Sequence, residues 1–211
     1  MKTRWAPMAL LVVLSAALVF VVAFWEPLPP RAVTAIQSHS RLPPASSPAA
    51  GDFTLQGPQG PVALADYRGQ VVLIYFGYTS CPDVCPTSLA LVAQALSGLT
   101  EAEAKRVRAI FISLDPERDS TAVLREYAPF FHPAIVGLSG TPEEIATLAK
   151  QYGVSYRKQP ANAEGQYTID HSTETYVVDS RGRLATRLPY ATPASEILAA
   201  IRQQLARRDP A

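Results

Sequence analysis

The sequence predicts an α/β fold with a central mixed sheet flanked by helices, preceded by one N-terminal transmembrane helix. Three observations predict it. An uncharged apolar run lies near the N-terminus. From residue 51 onward, continuous apolar runs of strand length alternate with segments of helical period. Near the end, two short β-rich runs flank Asp179-Ser180-Arg181-Gly182, a strong hairpin signal.

Residues 5–25 carry no charge, and Met8 to Trp25 reads MALLVVLSAALVFVVAFW. About 20 apolar residues cross a hydrocarbon core. Lys2 and Arg4 precede the run, and Trp5 and Trp25 bracket it, which predicts a span over residues 6–25 with the N-terminus cytoplasmic. A cleaved signal peptide would have a shorter apolar region and a small-residue cleavage site. Here Phe24, Trp25 and Pro27 follow the run directly. Residues 1–25 are therefore expected to be a short cytoplasmic segment and an anchor. Residues 26–50 hold six prolines, four serines and five alanines and read as a linker. Residues 51–211 read as the globular domain. Only seven residues precede the apolar run, too few for an Arg- and Ser-rich transit peptide. The expected location is a bacterial inner membrane, single-pass, with the C-terminal domain in the periplasm.

In that domain, residues 53–56 and 62–64 suggest a hairpin around Gly57-Pro58-Gln59-Gly60. Val71 to Phe76 is a strand buried on both faces. Gly77 to Cys85 is expected to be irregular, with a helix from Pro86 to about Leu99 carrying Leu89, Val92 and Leu96. Val107 to Leu114 is a second buried strand. Asp119 or Ser120 caps a helix bearing Val123, Leu124, Tyr127 and Phe130. Thr141-Pro142-Glu143-Glu144 opens another through a capping box with proline at the first helical position. Thr173–Val178 and Arg183–Leu188 form the hairpin, and Thr192-Pro193 opens the last helix. This order, with a cysteine pair between the first buried strand and its helix, predicts a thioredoxin-like fold.

Composition removes several function classes. Hydrophobic residues are 48% and charged residues 18%, so the chain is not disordered. Nineteen basic residues against eighteen acidic leave no excess to neutralise a phosphate backbone, so no nucleic-acid partner is expected. Gly57 and Gly60 make a turn, and no phosphate-cradling motif occurs.

Cys81 and Cys85 are the only cysteines and stand four residues apart. Pro82 and Pro86 bias each away from helical geometry, which predicts both thiols in a loop leading into a helix. A helix N-terminus nearby should lower a thiol pKa. Such thiolates attack disulfides or bind soft metals such as Cu(I). A structural disulfide is the plainer reading, but the flanking prolines and the strand–helix edge make an odd place for a staple. Thioredoxin-type oxidoreductases use C-x-x-C and place a cis-proline before a later strand. This chain has C-x-x-x-C, and at the corresponding place reads Ile169-Asp170-His171-Ser172. Two thiolates and a neutral imidazole make a three-coordinate site suited to copper. Asp170 and Asp83 are candidates to hold the far side of the imidazole. Asp115-Pro116-Glu117-Arg118-Asp119 offers paired carboxylates, read here as a helix cap at Asp119 and a local ion pair at Arg118. His39 reads as solvated in the linker, and His132, at a helix end, as structural.

The motif around Cys81 and Cys85, the Ser113-to-Asp119 segment and the Asp170-His171-Ser172 turn together resemble the SCO/SenC copper chaperones. The resemblance spans most of residues 51–206, with three motifs in order. It implies one copper ion per chain, as Cu(I) and possibly Cu(II), held by Cys81, Cys85 and His171. It also implies a role in assembling the CuA site of cytochrome c oxidase, as metal donor, as reductant of the subunit's cysteines, or both. The implied partners are the copper-bearing oxidase subunit and a periplasmic copper donor or thiol reductant. The chain would then not be an enzyme in the turnover sense. The competing reading is a thiol–disulfide oxidoreductase or peroxidase-like enzyme, with Cys81 and Cys85 as the redox-active pair and His171 incidental.

Overall fold

The computed structural model describes Phe20 and residues 51–207. The predicted anchor (apart from Phe20), the linker and the last four residues lie outside the described residues. Among the described residues, no helix is long and apolar enough to cross a membrane.

The domain opens with a hairpin of β1 (Thr54–Gly57) and β2 (Gly60–Ala63), followed by a 3-10 turn at Leu64–Tyr67. Next come β3 (Val71–Gly77), α1 (Val84–Ser97), the short α2 (Glu101–Ala104) and β4 (Val107–Ser113). Then follow α3 (Thr121–Phe131), β5 (Ile135–Leu138) and α4 (Pro142–Tyr152). A second hairpin, β6 (Tyr156–Lys158) with β7 (Ile169–His171), precedes β8 (Thr175–Val178), β9 (Leu184–Leu188) and α5 (Ala194–Ala206).

The main sheet has five strands in the order β5-β4-β3-β8-β9. β3, β4 and β5 run parallel, whereas β8 and β9 are antiparallel to their neighbours. This is the mixed sheet of the predicted thioredoxin-like arrangement. The unbroken apolar run of β3 reflects burial of all seven residues. Side chains alternate across the pleat, so Val71, Leu73 and Tyr75 join one core and Val72, Ile74 and Phe76 the other. The first core is completed by α1, α3 and α5 through Leu89, Val92, Leu124, Ile197 and Ile201. The second is completed by α4 and the opening segment through Ile145, Leu148, Tyr152, Leu55 and Leu64. Burying a Leu or Ile side chain stabilises by about 1.5–3 kcal/mol, so both faces contribute substantially.

The structure departs from the sequence reading at several places. The four-residue β5 and three-residue β6 and β7 are too short for a periodicity signal. Phe130 is 83% exposed, so that face of α3 is not core. Ser120, not Asp119, caps α3, its hydroxyl accepting from the Val123 N–H at 3.3 Å. The largest departure is that Cys85 lies inside α1 rather than in a loop. Pro86 is the third helical residue, where backbone N–H groups have no intrahelical acceptor and the ring meets no preceding turn. The bias that proline places on the residue before it is therefore overridden.

Candidate metal centre

β3 delivers the chain at Gly77 to the carboxyl end of the sheet, and the loop from Tyr78 to Asp83 turns back into α1. The Asp83 carbonyl accepts the first helical bond, from the Thr87 N–H at 3.1 Å. Cys81 stands in the loop and Cys85 in the first turn of α1, both as free thiols. The Cys85 N–H points at Cys81 Sγ, 3.5 Å away. His171 ends β7, paired with Tyr156 of β6. Its Nε2 lies 3.3 Å from Cys85 Sγ. The three donor atoms lie within 4.8 Å of one another, so the residues singled out in the sequence converge.

Burial grades the site. Cys85 is 0% exposed, Cys81 is 8% exposed and His171 is half-buried, so Cys81 is the outer sulfur. A depression of about 350 Å³ opens over the site between Cys81, Pro82 and Val84 on one side and Ile169 and His171 on the other. The rings of Tyr75 and Tyr78 meet the imidazole edge-on, at centroid distances of 6.3 and 5.9 Å. These contacts restrict its rotation.

The electrostatics differ from the expectation in one respect. Burial pushes the Cys85 thiol well above the usual thiol range, and the neighbouring Cys81 sulfur adds to the effect. The α1 terminus does not outweigh this desolvation. Burial also lowers the His171 pKa, partly offset by the Ser172 carbonyl, so the ring is neutral at neutral pH. Nδ1 lies 2.7 Å from the Ser172 carbonyl, which fits Nδ1 as the donor and leaves the Nε2 lone pair facing the sulfurs. Sulfur and nitrogen donors in a largely apolar setting form a receptor for a soft cation, whose charge stabilises thiolate ligands.

Neither predicted carboxylate holds the imidazole. Asp170 faces outward, pairing with Arg157 at 3.5 Å and with Gln159. Asp83 occupies the α1 cap position without a side-chain cap bond. His132 is set apart at the end of α3, its Nδ1 accepting from the Ala134 N–H at 3.1 Å. His39 lies outside the described residues. Sequence reasoning placed Ser172 in the turn but did not find that its carbonyl holds the imidazole, because a backbone carbonyl leaves no residue-type signal. It also missed Gly77, where a Cβ would stand 2.8 Å from Cys85 Sγ. A glycine closing an otherwise continuous apolar strand was the available sign.

Known proteins resemble the chain over this same region. The SCO1/SenC family profile matches residues 43–206. The mitochondrial protein SCO2 homolog of Mus musculus is 37% identical over 158 residues, covering 74% of this chain and 62% of its own length. The alignment thus spans less than two thirds of that relative. Copper-bound ScoI of Bradyrhizobium japonicum is 39% identical with a TM-score of 0.68, covering 74% of this chain and 99% of that one. Apo Sco1 of Thermus thermophilus is 41% identical with a TM-score of 0.68, covering 75% and 93% respectively. A profile match across most of the chain, together with relatives and solved structures well above 30% identity, places the chain in the SCO1/SenC family.

Proposed function

We propose that the chain is a membrane-anchored copper-binding chaperone that serves the CuA site of cytochrome c oxidase during assembly. One copper ion is the cargo, held as Cu(I) by Cys81, Cys85 and His171. The observation that carries this reading is the convergence of two free thiols and a neutral imidazole within 4.8 Å. The copper bound by the Bradyrhizobium relative supports it. The uncharged run over residues 6–25 supports an anchor, with the domain on the periplasmic side of a bacterial inner membrane.

A site with two sulfurs and one nitrogen leaves Cu(I) open to an incoming thiolate from the acceptor, so transfer proceeds by ligand exchange. Cys81, the outer sulfur, is the ligand an acceptor reaches first. Oxidation of the pair to a disulfide removes both thiolates and with them the site. The same pair can reduce an oxidised acceptor by thiol–disulfide exchange. Two electrons and two protons then pass to the acceptor's cysteines, and a Cys81–Cys85 disulfide remains. The two sulfurs lie within 4.8 Å of one another, which favours this second role as well.

An anaerobic Cu(I) competition titration of the reduced protein tests the reading, beside His171→Ala and a Cys81→Ala/Cys85→Ala double variant. One copper per chain is expected, weakened by the histidine change and abolished by the double change. Binding indifferent to His171, or no competitive binding, overturns the chaperone reading in favour of a metal-free thiol oxidoreductase.

A further inference from the structure

The segment Asp115-Pro116-Glu117-Arg118-Asp119 follows β4 and does not itself reach the thiols or the imidazole. Its side chains instead grip both pieces of chain that carry them. Asp119 is 0% exposed and accepts three hydrogen bonds. They come from the Thr79 N–H at 2.9 Å, the Thr79 hydroxyl at 2.5 Å and the Ser113 hydroxyl at 2.6 Å. Thr79 stands two residues before Cys81, so this buried carboxylate ties the cysteine loop to the end of β4.

The other grip is on the β6–β7 hairpin. Asp115, also buried, accepts from the Tyr167 hydroxyl at 2.7 Å and pairs with Arg118. Arg118 Nη1 donates to the Tyr167 carbonyl at 3.0 Å, and its guanidinium lies 3.6 Å from the centre of the Tyr167 ring. The Lys158 ammonium lies 4.0 Å from the same ring and pairs with Glu117 at 2.6 Å. Tyr167 stands two residues before β7, and Lys158 ends β6. The Glu117–Lys158 pair is solvent-exposed and screened, so it adds little to the hold. The charge-assisted bonds of Asp115 and Arg118 are the stronger hold.

The need for such a hold follows from the topology. Cys81 and Cys85 are brought together by four residues of chain, whereas His171 arrives on a hairpin of three residue pairs outside the main sheet. An isolated two-stranded hairpin is marginal in water. Ser155 and Ser172 bind its base to itself, through the Ser172 N–H on the Ser155 carbonyl at 2.9 Å. The contacts of residues 115–118 tie its far part to the main sheet.

We propose that Asp115–Asp119 is a positioning bracket that sets the imidazole against the thiols. Asp119 acts through the Cys81 loop, and Asp115 with Arg118 acts through Tyr167 on His171. The consequence for metal rests on the copper reading, whereas the bracket itself does not. Two measurements on the reduced protein test it, using Tyr167→Ala, which leaves the Asp115–Arg118 pair intact, and the near-isosteric Asp119→Asn. In metal-free protein, Tyr167→Ala should speed amide hydrogen exchange in β6 and β7 and leave β3 and β4 unchanged. In Cu(I) competition, Tyr167→Ala should weaken binding about tenfold. That factor should fall to about one when His171 is already alanine, while the loss from Asp119→Asn persists there. Unchanged exchange in β6 and β7, or the same Tyr167→Ala factor in both backgrounds, overturns the bracket. If the unaltered protein holds no Cu(I), the copper reading fails and the exchange data still decide the bracket.

Discussion

The three donor atoms depend on a residue that offers no donor. A Cβ on Gly77 would stand 2.8 Å from Cys85 Sγ, 3.0 Å from the Phe111 ring and 3.1 Å from the Tyr75 ring. Cys85, Phe111 and Tyr75 are all buried, so the added methyl group crowds the core. Gly77→Ala is therefore expected to cost about 1–3 kcal/mol, the usual range for overpacking. It should also displace the inner sulfur and weaken Cu(I) binding. Urea denaturation and Cu(I) competition on the same preparation check both effects. A variant as stable and as tightly binding as the parent would show that the strand end can shift to admit a methyl group.

At the scale of elements, the end of α3 carries its own titration. Burial lowers the His132 pKa, and its Nδ1 accepts from the Ala134 N–H at the entry to β5. The unfolded chain, with a histidine pKa near ~6.5, then binds more protons than the folded one in mild acid. Stability from this group is complete above ~6.5 and is lost as pH falls from there towards the folded value. The urea midpoint should drop between pH 7.5 and pH 5.5, and less steeply in His132→Asn. Equal slopes would remove His132 as a source.

How far each element was legible depended on its length and on where its partners lay. β3 and β4 showed as continuous apolar runs because both faces are covered. α4 showed through the Thr141–Glu144 capping box, present with both reciprocal bonds. β6 and β7 were illegible, since three residues such as Tyr156-Arg157-Lys158 hold no alternation. Asp119 was misread for a related reason. An acidic residue before a helix looks like a cap, and only the fold shows that its partners are Thr79 and Ser113. The donor set itself was legible, because cysteine and histidine are scarce here and the predicted fold joins their loops.

For the whole molecule, the sheet separates chemistry from support. Cys81, Cys85 and His171 lie on the side packed by α1, α3 and α5, while α4 and the opening segment pack the other. Ile74 is fully buried on that other side. Ile74→Ala should cost about 2–5 kcal/mol and leave the Cu(I) affinity of the folded protein unchanged, as denaturation and competition titrations would show. A matching fall in affinity would mean that strain crosses the sheet. The partition also gives the domain a front and a back. A dye, a spin label or a surface linkage fixed to the outer face of α4 would sit behind the sheet, where it could follow the domain's tumbling while the opening over Cys81 stays free to meet whatever comes to it.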